Sequence, residues 1–206
     1  MFSVPMALVD FLPVVFFLLG AIILQKDLYN KMSKGAYALF CAGTIDVFMA
    51  GFLKATYKLL YALNICDFEP LTKMFFPVQA LGFTMTGVAV VCMLCRPQGA
   101  GRMYVTAAPA LYSGTMLFVL FMVLGLLGLD GGLMVISKKM NKKGVIVLYV
   151  ISFIFCLMMG YLSSKSFDKA FMNWIAQGVN TIGQLSFFLG AVMLDKAGLE
   201  KFQLEK

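Results

Sequence analysis

Apolar residues run along this chain in unbroken blocks, separated by short charged or Gly/Pro-rich stretches. The first block extends from Val4 to about Gln25 and ends at a basic loop, Lys26 to Lys34. A second runs from Gly35 to about Lys54, with a helical continuation towards Leu63. The next loop carries Asp67 and Glu69, and a third block follows from about Lys73 to Cys95. The last two lie at Gly144 to Ser164 and at about Phe171 to Leu194. About 20 apolar residues of helix cross the hydrocarbon core of a bilayer, so each block predicts a membrane-spanning helix.

The stretch from Met103 to Ser137 is less direct. As one helix, at 1.5 Å per residue, it is too long for the bilayer. Pro109, Ser113 and Gly114 offer a break, giving a short fourth span at about Gly101 to Tyr112 and a fifth from Thr115 to Ser137. The alternative is one span ending near Leu129, a turn at Asp130-Gly131-Gly132, and six spans in all. The positive-inside bias favours seven. With seven spans, the loops holding Lys31 and Lys34, Arg96 and Arg102, and Lys138 to Lys143 all fall on the cytoplasmic side, together with the tail that holds Lys196, Lys201 and Lys206. The N-terminus and the acidic loop then fall outside.

Composition agrees with this reading and excludes several function classes. The chain has 206 residues, 61% of them hydrophobic, a mean hydropathy of +0.89 and only 13% charged residues. Soluble domains carry about 25% charged residues. There is room for a single transmembrane domain, 1–206, and for no separate catalytic domain. The net charge of +7 lies in short loops beside apolar blocks, which suits anionic lipid headgroups and argues against a nucleic-acid partner. The N-terminus lacks a basic region before its first charge, Asp10, so the first block is read as a true span. There is no histidine, which removes the commonest general base and metal ligand. The five cysteines are odd in number and mostly inside apolar blocks. Cys92 and Cys95 form one CxxC, too little for a zinc site. No metal or other cofactor is expected, and no enzymatic role.

An internal similarity suggests a repeat. Lys31-Met32-Ser33-Lys34-Gly35 resembles Lys139-Met140-Asn141-Lys142-Lys143-Gly144, and sixteen residues beyond each glycine come Gly51-Phe52-Leu53 and Gly160-Tyr161-Leu162. Upstream, Leu19-Gly20 matches Leu124-Gly125. The expected arrangement is 3+1+3, with units 1–97 and 115–196 joined by a linker helix at 98–114. Repeat-built transporters hold their solute near the midplane between the repeats.

Polar side chains inside the spans carry the functional reading. Asn173, Gln177, Asn180, Thr181 and Gln184 recur every three or four residues and so share one face of the last helix. Such groups are costly in lipid and should face the bundle interior or a wet path. Amides donate and accept hydrogen bonds without charge, which suits a neutral or zwitterionic solute. The plainer reading is that they glue neighbouring helices together. Gln79 in the third span and Asp46 in the second are further candidates for the path. Asp46, an embedded carboxylate, is also the candidate for a coupling proton or cation, with Lys54 as the accompanying cation.

Between residues 10 and 115 the chain resembles the urea/amide channel family of bacterial inner membranes. The resemblance rests on Gly20, Lys34 opening the second span, Gly43, Gly82-Phe83-Thr84, and Arg96-Pro97. The family's asparagine in the second helix is replaced here by Phe40 or Cys41. The resemblance implies passive flow of a small neutral amide through a homo-oligomer. Together these readings predict an all-α, polytopic bundle of the cytoplasmic membrane, N-terminus outside, that acts as a channel or facilitator for a small polar solute. The alternatives are a proton- or cation-coupled transporter using Asp46, and a non-catalytic membrane subunit or receptor of a larger complex.

Overall fold

The computed structural model describes residues 3–95, 115–163 and 170–204. All regular structure among them is helical. The helices are α1 (Val4–Val9), α2 (Phe11–Leu28), α3 (Lys34–Ala62), α4 (Pro70–Lys73), α5 (Phe75–Cys95), α6 (Thr115–Lys139), α7 (Lys143–Ser163) and α8 (Ala170–Lys196). A 3-10 turn follows at Leu199–Lys201. Five stretches, Val4–Leu28, Lys34–Ala62, Pro70–Cys95, Leu117–Lys139 and Lys143–Leu162, are long and apolar enough to cross a membrane. The helix over 115–139 continues through Asp130-Gly131-Gly132, so the turn considered there does not form. The short span expected at 101–112 lies outside the described residues.

Local chemistry sets the breaks. Proline has no N–H, and its ring displaces the carbonyl four residues earlier. Pro13 lies four residues after Val9, where α1 ends; Pro77 lies four residues after Lys73, where α4 ends. α3 opens on Ser33, whose side chain accepts a hydrogen bond from the Ala36 N–H at 3.3 Å. After α6, Asn141 takes a left-handed conformation (φ 56°), and the Lys142 N–H closes the turn onto the Ser137 carbonyl at 2.8 Å. Asn64 does the same after α3, at φ 55°. Asparagine is the residue besides glycine that best tolerates this conformation.

Each long helix turns an apolar stripe outward. Leu8, Leu12, Val15, Leu19 and Ile22 stand exposed at intervals of four and three along the first span, and Leu120, Leu124 and Leu127 do so on α6. α8 is no exception: Trp174, Ile175, Ile182 and Leu189 are exposed on one side, while its polar residues dilute its overall hydropathy. Apolar stripes outside and polar groups inside are the pattern a bundle in lipid needs.

The helices close into a ring in the order α2, α3, α5, α6, α7, α8 and back to α2. The register of their contacts fixes the direction of each. α2 and α3 are antiparallel, with Phe11 against Phe52, Val14 against Gly51, and Gln25 bonded to Thr44. So are α3 and α5, where Gly43 abuts Gly82 and Thr86 while Lys54 lies over Phe75. α6 and α7, and α7 and α8, also pack antiparallel: Gly160 faces Met122, Gly183 faces Phe155, and Gly190 faces Tyr149. Two pairs run parallel. Gly125 packs on the backbone of Phe83 and Thr84, Gly87 on Gly125 and Gly128, and Gly132 on Val90 and Leu94, so α5 and α6 advance together. Gly20 packs on Phe187, and Lys26 reaches Asp195 at 3.2 Å, so α2 and α8 do too.

Leu28, Lys34, Cys95, Lys139, Lys143 and Lys196 therefore gather at one end of the bundle, and Phe11, Ala62, Phe75, Thr115 and Ala170 at the other. The first of these is the basic end, holding Lys26, Lys31, Lys138, Lys139 and Lys142 as well. Its half of the bundle is solid: Leu24, Leu28, Phe40, Val90, Leu129, Leu133, Ile136, Tyr149 and Leu194 are all fully buried there. Gly198, at φ 83°, turns the chain back so that Leu199 is buried too, and the Lys31 ammonium bonds the carbonyls of Glu200 and Phe202.

Candidate functional site

The opposite half of the bundle is hollow. A cavity of about 310 Å³ lies between all six long helices. Its lining starts at the level of Asp10, Lys58, Thr72 and Asn173 and stops at Phe17, Val47, Phe83, Leu126, Cys156 and Gln184. Each of these last residues lies near the middle of its helix. The hollow thus ends where the solid half begins.

Asn173, Gln177, Asn180 and Gln184 of α8 line this cavity, and Gln79 of α5 does so as well. The polar face of α8 turns inward because Trp174, Ile175 and Ile182 occupy its other side. Gln177 is buried except for 4% of its surface. Gln184 points its amide nitrogen at the Cys156 sulfur, 3.5 Å away, at the cavity floor. Thr181, from the same sequence stripe, is not in the lining; its hydroxyl oxygen is buried without a hydrogen-bond partner among the described residues. Asp46 is not in the lining either and sits half-buried on α3, between exposed Ile45 and Met49. Lys54 does line the cavity, with its ammonium 3.7 Å above the centre of the Phe75 ring, a cation–π contact. One turn on, Lys58 pairs with Asp10, whose side chain is only 11% exposed. That pair ties α3 to the junction of α1 and α2 at the cavity's outer rim.

The remaining walls are aromatic and aliphatic, with Phe17, Phe48, Phe76 and Phe83 prominent. Neutral donors and acceptors on one side, the Lys54 ammonium, the Lys58–Asp10 pair at the rim, and apolar walls make a site able to hold a small polar molecule. Pockets of this size and mixture are typical of small-molecule sites. Among the described residues no three Cys, Asp or Glu side chains come together as a metal site would need.

Two carboxylates that the sequence reading passed over are buried in the solid half. Asp130 of α6 is 0% exposed and Asp27 of α2 is 1% exposed. Neither has a hydrogen-bond partner for either oxygen among the described residues. The signal was present for Asp130: a carboxylate nine residues inside an apolar block that ends at Lys139. Its neighbours Gly131 and Gly132 disguised it as a turn.

No family model matches the chain, and neither curated proteins nor solved structures give a significant match.

Proposed function

We propose that this protein is a facilitator of the cytoplasmic membrane for a small polar solute, neutral or zwitterionic, and that the hollow half of the bundle is its binding site. One observation carries the reading: four amides from one face of α8, joined by Gln79, converge on a cavity of about 310 Å³ that stops at mid-depth. Amides serving only as glue would be consumed in contacts between helices. These border empty volume. A site open to one half and sealed from the other fits a carrier that alternates between two states better than a continuous pore. A small amide, the solute that the urea/amide channel resemblance implies, has the hydrogen-bonding complement that such a lining would satisfy.

The reading includes a seven-span topology built on a 3+1+3 repeat, with units 1–97 and 115–196 joined by 98–114. In support, α5 and α6 run parallel, so Cys95 and Thr115 stand at opposite ends of the bundle. The triplets α2–α3–α5 and α6–α7–α8 then share one sequence of directions. Their contacts correspond as well. Gly20 packs on Phe187 as Gly125 packs on Phe83, and Gln25 bonds Thr44 where the second unit has Asp130 beside Ser152. A parallel repeat of this kind places its solute site between the two units. With the basic end facing the cytoplasm, the cavity faces outward.

Flux through proteoliposomes tests the function. Urea, acetamide, glycerol and glycine would be compared by light-scattering and tracer uptake for the wild type, Gln177→Leu with Asn180→Leu, and empty vesicles. Tenfold or greater loss in the double variant, with unchanged insertion, is expected. A wild type indistinguishable from empty vesicles for every solute, or a double variant equal to wild type, overturns the reading.

A further inference from the structure

A row of buried polar side chains continues from the floor of the cavity into the solid half. It starts where Gln184 meets Cys156. Tyr149, Ser152 and Cys156 are spaced three and four residues apart, so they share one face of α7. Tyr149 and Ser152 are fully buried. Asp130 of α6 lies alongside this row, close to the Ser152 hydroxyl, although neither of its oxygens receives a hydrogen bond. The Tyr149 hydroxyl is likewise buried without a partner, and beyond it stands Asp27 of α2, near Asp195 at the basic end.

The groups around Asp130 are limited. α7 brings Tyr149, Ser152 and Cys156; α5 brings Val90 and Leu94 against the adjacent Gly132; α2 brings Asp27 on the far side of Tyr149; α8 brings Gln184 by way of Cys156. None of these is a cation. An ionised carboxylate at zero exposure, with no hydrogen bond and no counter-charge, is among the costliest arrangements a protein can hold. In a membrane helix such a residue is a functional candidate by default. The neutral acid avoids that cost.

We propose that Asp130 is a proton-binding site that couples the proton gradient to solute movement. The inference rests on the facilitator reading above. In the state described here the cavity side is open, the basic side is sealed, and Asp130 holds a proton received along the Cys156–Ser152 face. When α6 and α7 part at the basic end, water reaches the carboxyl and the proton leaves to that side. One proton bound as Asp–COOH on the cavity side is one proton released as Asp–COO⁻ on the other. The seal is completed as the carboxylate takes up its next proton from the cavity side along the Cys156–Ser152 face, so each cycle carries one proton with the solute.

Two measurements decide this. The first needs no solute: infrared spectra of the protein in lipid nanodiscs, for wild type, Asp130→Asn and Asp27→Asn. A protonated-carboxyl C=O band should be present at pH 7, lose a component in Asp130→Asn, and keep that component in Asp27→Asn. A spectrum unchanged by Asp130→Asn, in protein with wild-type helical content, overturns the proposal. The second uses whichever of the four solutes the wild type passes, with and without an inward proton gradient. Uptake should rise at least threefold with the gradient in wild type and not at all in Asp130→Asn, while Asp130→Glu regains part of the response. Solute flux that ignores the gradient, or a response lost in Asp46→Asn and kept in Asp130→Asn, overturns proton coupling at Asp130 and leaves the facilitator reading standing. No flux of any solute sinks the facilitator reading, and the transport part of this proposal with it.

Discussion

The parallel packing of α5 on α6 rests on glycines, and it can be tested by giving one of them a methyl group. A Cβ built on Gly125 would collide with the backbone of Phe83 and Thr84. Backbone in the middle of a helix cannot swing aside as a side-chain tip can. Overpacking usually costs about 1–3 kcal/mol, and the obstacle here places Gly125→Ala towards the upper part of that range. The substitution also gains helix propensity, up to about 1 kcal/mol, leaving a net loss of roughly 1–2 kcal/mol. Gly178 of α8 supplies the internal control, since nothing lies within 4 Å of its Cβ position. Gly178→Ala should therefore be neutral or stabilising by about 0.5–1 kcal/mol. The two variants should differ by about 1–3 kcal/mol. At about 2–4 °C per kcal/mol for a domain of this size, that is roughly 2–12 °C in apparent Tm. With the exposed Cys66 and Cys95 replaced by serine, a thiol-reactive fluorogenic dye can read the transition in mild detergent, because Cys41 and Cys156 are partly sheltered until the bundle opens. Equal Tm values for the two variants would show that α5 and α6 do not touch at Gly125. The parallel register, and the seven-span topology built on it, would then lose their main support.

Further predictions follow from other parts of the bundle. Leu129→Ala, which empties a fully buried site in the solid half, should cost about 2–5 kcal/mol, seen as a Tm loss larger than that of Leu124→Ala on the exposed stripe. Lys58→Met leaves Asp10 buried without its partner and should destabilise by about 3–5 kcal/mol; Asp10→Asn with Lys58→Met should recover most of the loss, and no recovery would mean that the pair does not couple. Single cysteines at Lys31, Lys139 and Asp67, in a background lacking the native cysteines, should label from opposite faces of the membrane in intact cells. The first two should be reached from the cytoplasm and the third from outside; labelling of Lys31 and Lys139 from different faces contradicts the shared basic end.

The sequence showed the helices more readily than their arrangement. Runs of about 20 apolar residues leave little choice of secondary structure in lipid, so the expected ends at Lys34/Gly35, Cys95 and Lys143/Gly144 lie within a residue or so of those described. Pairing of helices was not legible, because glycine contacts between spans leave no periodic mark along one helix. The α8 stripe was legible for the opposite reason. Asn173, Gln177, Asn180 and Gln184 repeat at the helical period, and the period alone gives a shared face. Thr181 obeys the same spacing yet misses the cavity, since a face about 100° wide reaches beyond the lining of one pocket. Asp46 drew attention as the carboxylate of an apolar run. Asp130 is buried more deeply, but its two glycines imitate a turn, and only packing against Val90 explains why position 132 is small.

The division of the bundle into a hollow and a solid half follows from the same residue choices. On the hollow side Phe48, Phe75 and Phe76 line the cavity, beside the helix breaks that Pro13 and Pro77 impose. On the solid side Leu24, Leu129, Leu133, Ile136 and Leu194 are buried in one apolar cluster with Tyr149, whose ring lies against Gly190. Lipid gives helices no hydrophobic drive to associate, so packing and polar contacts decide which state is held. The solid half supplies the packing, and the Lys26–Asp195 contact and the tail carbonyls on Lys31 add polar closure at its end. An alternating carrier needs a closed half that is stable yet able to part. A carboxyl buried beside leucines is tolerated as the acid and costly as the anion, so loss of its proton raises the energy of the sealed state relative to the parted one. Under the proposal of proton coupling, stability of the seal and sensitivity to protonation are set by neighbouring buried residues of one helix, Leu129 and Asp130.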